Sequence, residues 1–275
     1  MMMNRRIFAG AAAAAAASLM TAGTAAADAS ASAPASQSAP AASPGMIRNV
    51  VLVHGLFADG SSWSKVIPIL QRAGLHVTAV QNPLTSFQDD VEATRRVLAL
   101  QDGPTVLVAH SYGGMVISET GVDPKVAALV YIAARAPDAG EDYGALARKF
   151  PTPPASAGIQ WTVDGFGQLT EQAFVRDFAA DLDPAEARAY YAVQGRVARA
   201  TPAATTTVAA WRTKPSWYAV STQDRTINTE LERFMARRMN ATTVELKASH
   251  VSLLSQPEAV AALILDAAGR AKAAQ

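Results

Sequence analysis

The 275-residue chain has no cysteine, so it has neither disulfides nor thiol chemistry, and its stability must rest on a packed core. Charged residues are also scarce, at 17% of the chain, and 24 basic against 23 acidic side chains leave a net charge of +1. No run of one sign stands out. That balance excludes the electrostatic footprint of a nucleic-acid partner. There are only four histidines, no two at zinc-ligand spacing, and no acidic triplet, so the sequence offers no metal site and calls for no cofactor. After the first thirty residues no segment is long and apolar enough to cross a membrane, and stable insertion is not expected.

Half of the residues are hydrophobic, enough to bury a large core. The first 27 differ in composition from the rest. Arg5 and Arg6 precede an Ala-rich, weakly apolar stretch that ends in Ala25, Ala26 and Ala27, just before Asp28. This reads as an export signal over 1–27, and the Arg-Arg-x-Phe run from Arg5 to Phe8 resembles a twin-arginine signal, with general secretion as the other route. Either route predicts a periplasmic or secreted protein. Residues 28–45, DASASAPASQSAPAASPG, are Ala, Ser and Pro without apolar periodicity and read as a linker. The folded domain is expected over 46–275.

In that domain short apolar runs alternate with helical patterns. Strands are expected at Asn49–Val53, His76–Val80, Thr105–Ala109, Ala127–Ala133, Trp217–Ser221 and Thr242–Lys247, most without the polar alternation of a half-exposed sheet. The first intervening helix has Ser61 or Ser62 as its N-cap and Gly74 as its stop; the second has Ser86 and Gly103. The order predicts an α/β fold with a mainly parallel six-stranded sheet flanked by helices. An insertion at about 135–215, rich in Pro, Gly and aromatics, interrupts it and is placed to act as a lid. Within it a hairpin is expected at Ile159–Gly167, turning on Asp164-Gly165, with helices at Glu171–Ala180 and Pro184–Ala198.

The segment VLVAHSYGGMVI places Ser111 between a strand and a helix start. That is the setting of a nucleophile elbow, G-x-S-x-G, with Ala109 small enough to stand at the first glycine. A plain helix-capping serine is the competing reading. A serine nucleophile needs a base, and an acid to orient that base. His250, in the loop KASHVSLLSQ after the last strand, is the candidate base; His76 sits in a strand, His110 abuts the serine, and His54 precedes it. Asp224, after strand WYAVS, is the candidate acid, against the alternative of a turn residue paired with Arg225. Backbone amides of Leu56, after His54-Gly55, and of Tyr112 are candidate donors to an oxyanion. His54 is expected to brace its loop. Phe57, Tyr112, Trp161, Phe166 and Phe174 are candidate pocket walls.

With VLVHGLFADGSSW, VLVAHSYGGMVI, YAVSTQDRTI and ASHVSLLSQPEAV in view, the domain resembles the α/β-hydrolase superfamily. It is most similar to the small bacterial esterases related to plant methyl esterases and hydroxynitrile lyases. The resemblance implies a Ser111, Asp224 and His250 triad, an oxyanion hole at Leu56 and Tyr112, and a sheet without the superfamily's first two strands. Gly55 and Val251 replace the threonine and lysine expected of a hydroxynitrile lyase, and Ser111 stands where dehalogenases and epoxide hydrolases carry aspartate. The implied activity is that of a serine carboxylesterase on a small-molecule ester. A cofactor-free peroxidase on the same triad and a ligand-binding receptor are the alternatives.

Overall fold

In the computed structural model, which describes residues 47–269, the apolar runs form one buried sheet. The expected signal and the whole of the linker lie outside the described residues. In chain order the elements are β1 (Asn49–Val53), α1 (Val66–Arg72), β2 (His76–Val80), α2 (Phe87–Ala99), β3 (Thr105–His110), α3 (Gly113–Thr120) and β4 (Val126–Ile132). The insertion follows, with α4 (Tyr143–Ala147), β5 (Ile159–Trp161), β6 (Phe166–Leu169), α5 (Glu171–Ala173), α6 (Pro184–Ala192) and β7 (Val197–Ala198). The chain then returns through β8 (Ser216–Ser221), α7 (Thr229–Arg238), β9 (Thr242–Leu246), α8 (Ser252–Ser255) and α9 (Pro257–Ala267).

The main sheet has the order β2-β1-β3-β4-β8-β9, and every neighbouring pair is parallel. β1 and β3 are buried at every position, which is why residues 50–53 and 106–109 are unbroken apolar runs. The edge strands β2 and β9 are the most exposed and alternate accordingly. Parallel pairing puts the carboxyl ends of β3, β8 and β9 on one rim, where ligands of open α/β sheets bind.

Several local expectations need correction. Neither Ser61 nor Ser62 caps the first helix: Asp59 accepts from the Ser61 amide and caps a 3-10 turn at Gly60–Trp63, and α1 begins later, at Val66. The short carboxylate wins because buried Trp63 anchors a separate turn. Ser86 does cap α2, and Gly74, at φ +77°, ends the turn after α1. Gly103 is not a helix stop; α2 ends at Ala99 with Leu100 as its cap.

In the insertion the hairpin turns at Gly165, φ +87°, and pairs Trp161 with Gly167. The helix expected over 171–180 is only α5 followed by a π turn, Phe174–Phe178. The other expected helix stops at Ala192. Beyond it the Gln194 side chain bonds both the amide and the carbonyl of Leu169, and Val197–Ala198 add a third antiparallel strand to the hairpin. Gly195 is packed so closely on Leu84 and the Ala58 carbonyl that a helical side chain has no room there.

Candidate active site

The turn after β3 holds Ser111 at φ +56°, a left-handed conformation that costs a non-glycine residue about 1 to 3 kcal/mol. Neighbouring packing fixes it. The Ser111 amide donates to the Ile132 carbonyl at 3.2 Å, while its own carbonyl accepts from Gly114 at 3.0 Å and from Arg135 at 2.9 Å. A side chain at Gly113 would lie 2.7 Å from the Val53 carbonyl, and one at Gly114 would collide with the Arg135 carbonyl. Both glycines are therefore required by close approach. Ala109, fully buried between Val53 and Tyr131, is accommodated without relaxing the turn. Ser111 is thus a strained strand-to-helix residue and not a helix cap.

Three side chains from three strand ends meet here. His250 Nε2 lies 2.8 Å from Ser111 Oγ, and His250 Nδ1 lies 2.5 Å from Asp224 Oδ2. A carboxylate only accepts, so Nδ1 carries the proton and Nε2 is free to accept from the serine hydroxyl. Asp224 Oδ1 accepts from the amides of Thr226 at 2.6 Å and Ile227 at 2.9 Å. The side chains of His250 and Asp224 are both fully buried, which strengthens their interaction. Arg225 does not pair with Asp224; it binds Asp177 at 2.8 Å.

The other histidines serve as supports. His110 Nε2 donates to the His250 carbonyl at 2.9 Å, and the two rings are 4.6 Å apart. Burial holds His110 well below the usual histidine range, so it stays neutral. His54 Nδ1 donates to the Gly55 carbonyl and Nε2 accepts from the Asn82 amide, each at 2.9 Å, bracing the first loop; burial lowers its pKa too. His76 lies at the far edge, in β2.

The first loop reaches over Ser111. A side chain at Gly55 would sit 2.6 Å from Ser111 Cβ, so only glycine lets the loop come this close. Leu56 follows, and Phe57 is itself left-handed at φ +58°. Neither the Leu56 nor the Tyr112 amide donates to a protein acceptor among the described residues. Both are available to an oxygen bound beside Ser111.

Two cavities flank the loop, and Phe57 lines both. One is a narrow apolar cleft of about 10 Å³ walled by Phe57, Phe174, Phe178, Val251 and Leu254. The other, about 130 Å³, is bounded by Leu56, Phe57, Arg135, Trp161, Leu169 and Thr226. Phe166 lines neither: it is three residues from Leu169 on the same strand and so points to the opposite face. The Tyr112 ring is also no wall. It turns into the core, where its hydroxyl donates to Asp90 at 2.8 Å and Phe87 packs on its edge.

Three residues near the site escape sequence reasoning. Phe178 packs 5.0 Å from the His250 ring, delivered by the π turn. Arg135 follows β4 and is pinned to the Ser111 carbonyl. Glu232 on α7 is wholly buried, accepts from the Ser221 amide at 3.0 Å, and lies within hydrogen-bonding reach of Asp224. Its one sequence signal is a carboxyl group on the helix face that also carries Leu231, Met235 and Ala236.

A family model described as the alpha/beta hydrolase family matches residues 50–263. The chain belongs to the α/β hydrolase family. An α/β hydrolase of Aspergillus novofumigatus is 26% identical over 81% of this chain and 97% of its own length. Shorter matches are to a carbendazim hydrolyzing esterase of Nocardioides, 32% identical over 40% of this chain and 51% of that protein, and to polyneuridine aldehyde esterase of Rauvolfia serpentina, 35% identical over 33% of this chain and 40% of that protein. In solved structures the same hydrolase fold occurs in a polyneuridine aldehyde esterase, with a TM-score of 0.70 at 23% identity, covering 80% of this chain and 98% of that one. It also occurs in a pyrethroid hydrolase from Sphingobium faniae, with a TM-score of 0.68 at 22% identity, covering 81% of this chain and 98% of that one.

Proposed function

We propose that this α/β hydrolase is a serine carboxylesterase acting on small to medium esters. The observation that carries the reading is the unbroken series from Ser111 Oγ through His250 to Asp224, with Ser111 held in the strained turn. The esterase names of its relatives support ester hydrolysis as the reaction class.

In this reading His250 Nε2 takes the hydroxyl proton as Ser111 Oγ attacks the ester carbonyl. Asp224, already bound to Nδ1–H, stabilises the imidazolium that forms. The developing oxyanion takes hydrogen bonds from the Leu56 and Tyr112 amides, and one such donor is worth about 3 to 4 kcal/mol at the transition state. His250 then protonates the leaving alcohol. Water releases the acyl group by the same path, and Ser111 is regenerated. The apolar lining of the cleft beside Phe174 and Phe178 matches the hydrocarbon part of the ester, which enters as these side chains part, since about 10 Å³ holds no more than a water.

Ser111→Ala is the test. It is expected to abolish hydrolysis of p-nitrophenyl esters while the protein keeps its melting temperature; retained turnover would overturn the assignment. For the export reading, replacing Arg5 and Arg6 with lysine is expected to trap the protein in the cytoplasm if the twin-arginine route is used. Unchanged fractionation would oppose that route.

A further inference from the structure

Arg135 is a cation without an anion. Its backbone amide is bound to the Ser111 carbonyl, but its guanidinium makes no ion pair among the described residues. Nη1 donates to the Pro202 carbonyl at 3.2 Å and touches Met115 Sδ at 3.8 Å, and the group stacks 4.6 Å from the centre of the Tyr143 ring. Nε is buried with no partner. The acidic groups around Tyr143 are engaged elsewhere: Glu141 with Arg238, Asp224 with His250, and Glu232 with the Ser221 amide through Oε2 and with Asp224.

The placement of this cation is what matters. Arg135 lines the 130 Å³ cavity whose wall includes Leu56, one of the two proposed oxyanion donors. Thr226 lines the same cavity, and its Oγ1 is also buried without a partner. The remaining wall is largely apolar, with Phe57, Ile159, Trp161 and Leu169. Buried polar groups are nearly always satisfied, so two orphaned atoms on side chains that line one chamber, both closed to water there, call for a ligand that draws the two side chains toward it. A guanidinium with free N–H groups matches the planar, two-oxygen face of a carboxylate, and a threonine hydroxyl can donate to the same group.

We propose that Arg135 and Thr226 receive a carboxylate carried by the substrate, so that the preferred esters are anionic on one side of the scissile bond and apolar on the other. The inference rests on the esterase reading. It divides the two cavities by chemistry: the cleft of Phe174, Phe178 and Leu254 takes hydrocarbon, and the chamber of Arg135 takes the charged arm. The carboxylate can belong to the acyl part, as in a monoalkyl ester of a dicarboxylic acid, or to the alcohol part, as in the ester of a hydroxy acid.

The test compares each of these two esters with its uncharged carboxamide isostere. In the wild-type enzyme one carboxylate ester is expected to be preferred by about tenfold or more in kcat/KM, mostly through KM, as a charge-assisted contact supplies. The arm that shows the preference identifies the side. In Arg135→Met the ratio should fall to about one, in Arg135→Lys to an intermediate value, and in Thr226→Val it should shrink without vanishing. No preference in either arm, or a preference that survives Arg135→Met, overturns the proposal. A second measurement does not need turnover: binding of a dicarboxylic monoester to Ser111→Ala protein, read by the fluorescence of Trp161 with Trp161→Phe as the blank, should be lost when Arg135→Met is added. Binding through Arg135 with no hydrolysis by the wild type would sink the esterase reading and leave only the carboxylate site at Arg135 standing; hydrolysis with neither charge preference nor binding would overturn that site and leave the esterase reading.

Discussion

The carboxyl group of Glu232 lies against the carboxylate of Asp224, inside the protein and away from water. Burial, and then the Asp224 charge and contact, push Glu232 well above the usual carboxylate range. The charged and titratable groups around the pair are His250, bound to Asp224, Arg233, which pulls Glu232 the other way, and the phenols of Tyr143 and Tyr218. Two carboxyls this close share one proton, and Glu232 is the one that keeps it.

A protonated Glu232 donates to Asp224 and draws charge from it, so Asp224 favours the imidazolium of His250 less than an undisturbed carboxylate would. Glu232→Ala removes the donor, and the acidic limb of kcat/KM is expected to move to higher pH. Glu232→Gln keeps a donor in place and should hold the limb where it is. If Glu232 were ionised, Glu232→Gln would instead push the limb to lower pH. An infrared carboxylic-acid carbonyl band lost in Glu232→Gln reads the proton directly.

The contact of Gly55 with Ser111 leads to a second prediction. Gly55→Ala should lower kcat by about a hundredfold or more, because the added methyl displaces either the serine or the loop that carries the Leu56 amide. The melting temperature should shift little, since the strain falls on a loop. A variant with normal kcat would show that the loop yields freely.

Asp90 and Asp177 should tilt stability with pH in opposite directions. Burial raises Asp90 to about 6, against the hydrogen bonds from Leu84 and Tyr112. It binds its proton more tightly folded than unfolded, so its contribution is full below about pH 4 and is lost as pH rises through about 6. Asp177 is the reverse case. Burial works to raise it, but hydrogen bonds and charge from Arg176 and Arg225 prevail and lower it. Its contribution is present above the ordinary aspartate range and is lost on acidification. Melting curves between pH 4 and 8 should therefore show Asp90→Asn gaining on the wild type as pH rises, and Asp177→Asn losing most at neutral pH.

The sheet was legible because each strand is covered on both faces or alternates at an edge, and apolar runs report that directly. The strand-end positions of Ser111, Asp224 and His250 were legible for the same reason: a polar residue that ends a buried run marks the rim of a parallel sheet. Glu232 and Arg135 were not, since their meaning lies in what they face across the fold. Val197–Ala198 were hidden by brevity, because two residues carry no period and their pairing depends on Gly167 across the gap. The π turn at Phe174–Phe178 was hidden by a pattern that fits an ordinary helix equally well.

The insertion leaves the sheet after β4 and rejoins it at β8, and these two strands are direct neighbours. The entire excursion therefore hangs from a single seam between adjacent strands. Drift in its hairpin can reshape the far wall of the Arg135 chamber and leave the elbow of Ser111 in place, whereas Asp177 and Phe178, which hold Arg225 and the His250 ring, tie the loops bearing Asp224 and His250 to the rest of it. A descendant lineage could change which molecules it admits by rewriting a stretch that holds none of Ser111, Asp224 and His250.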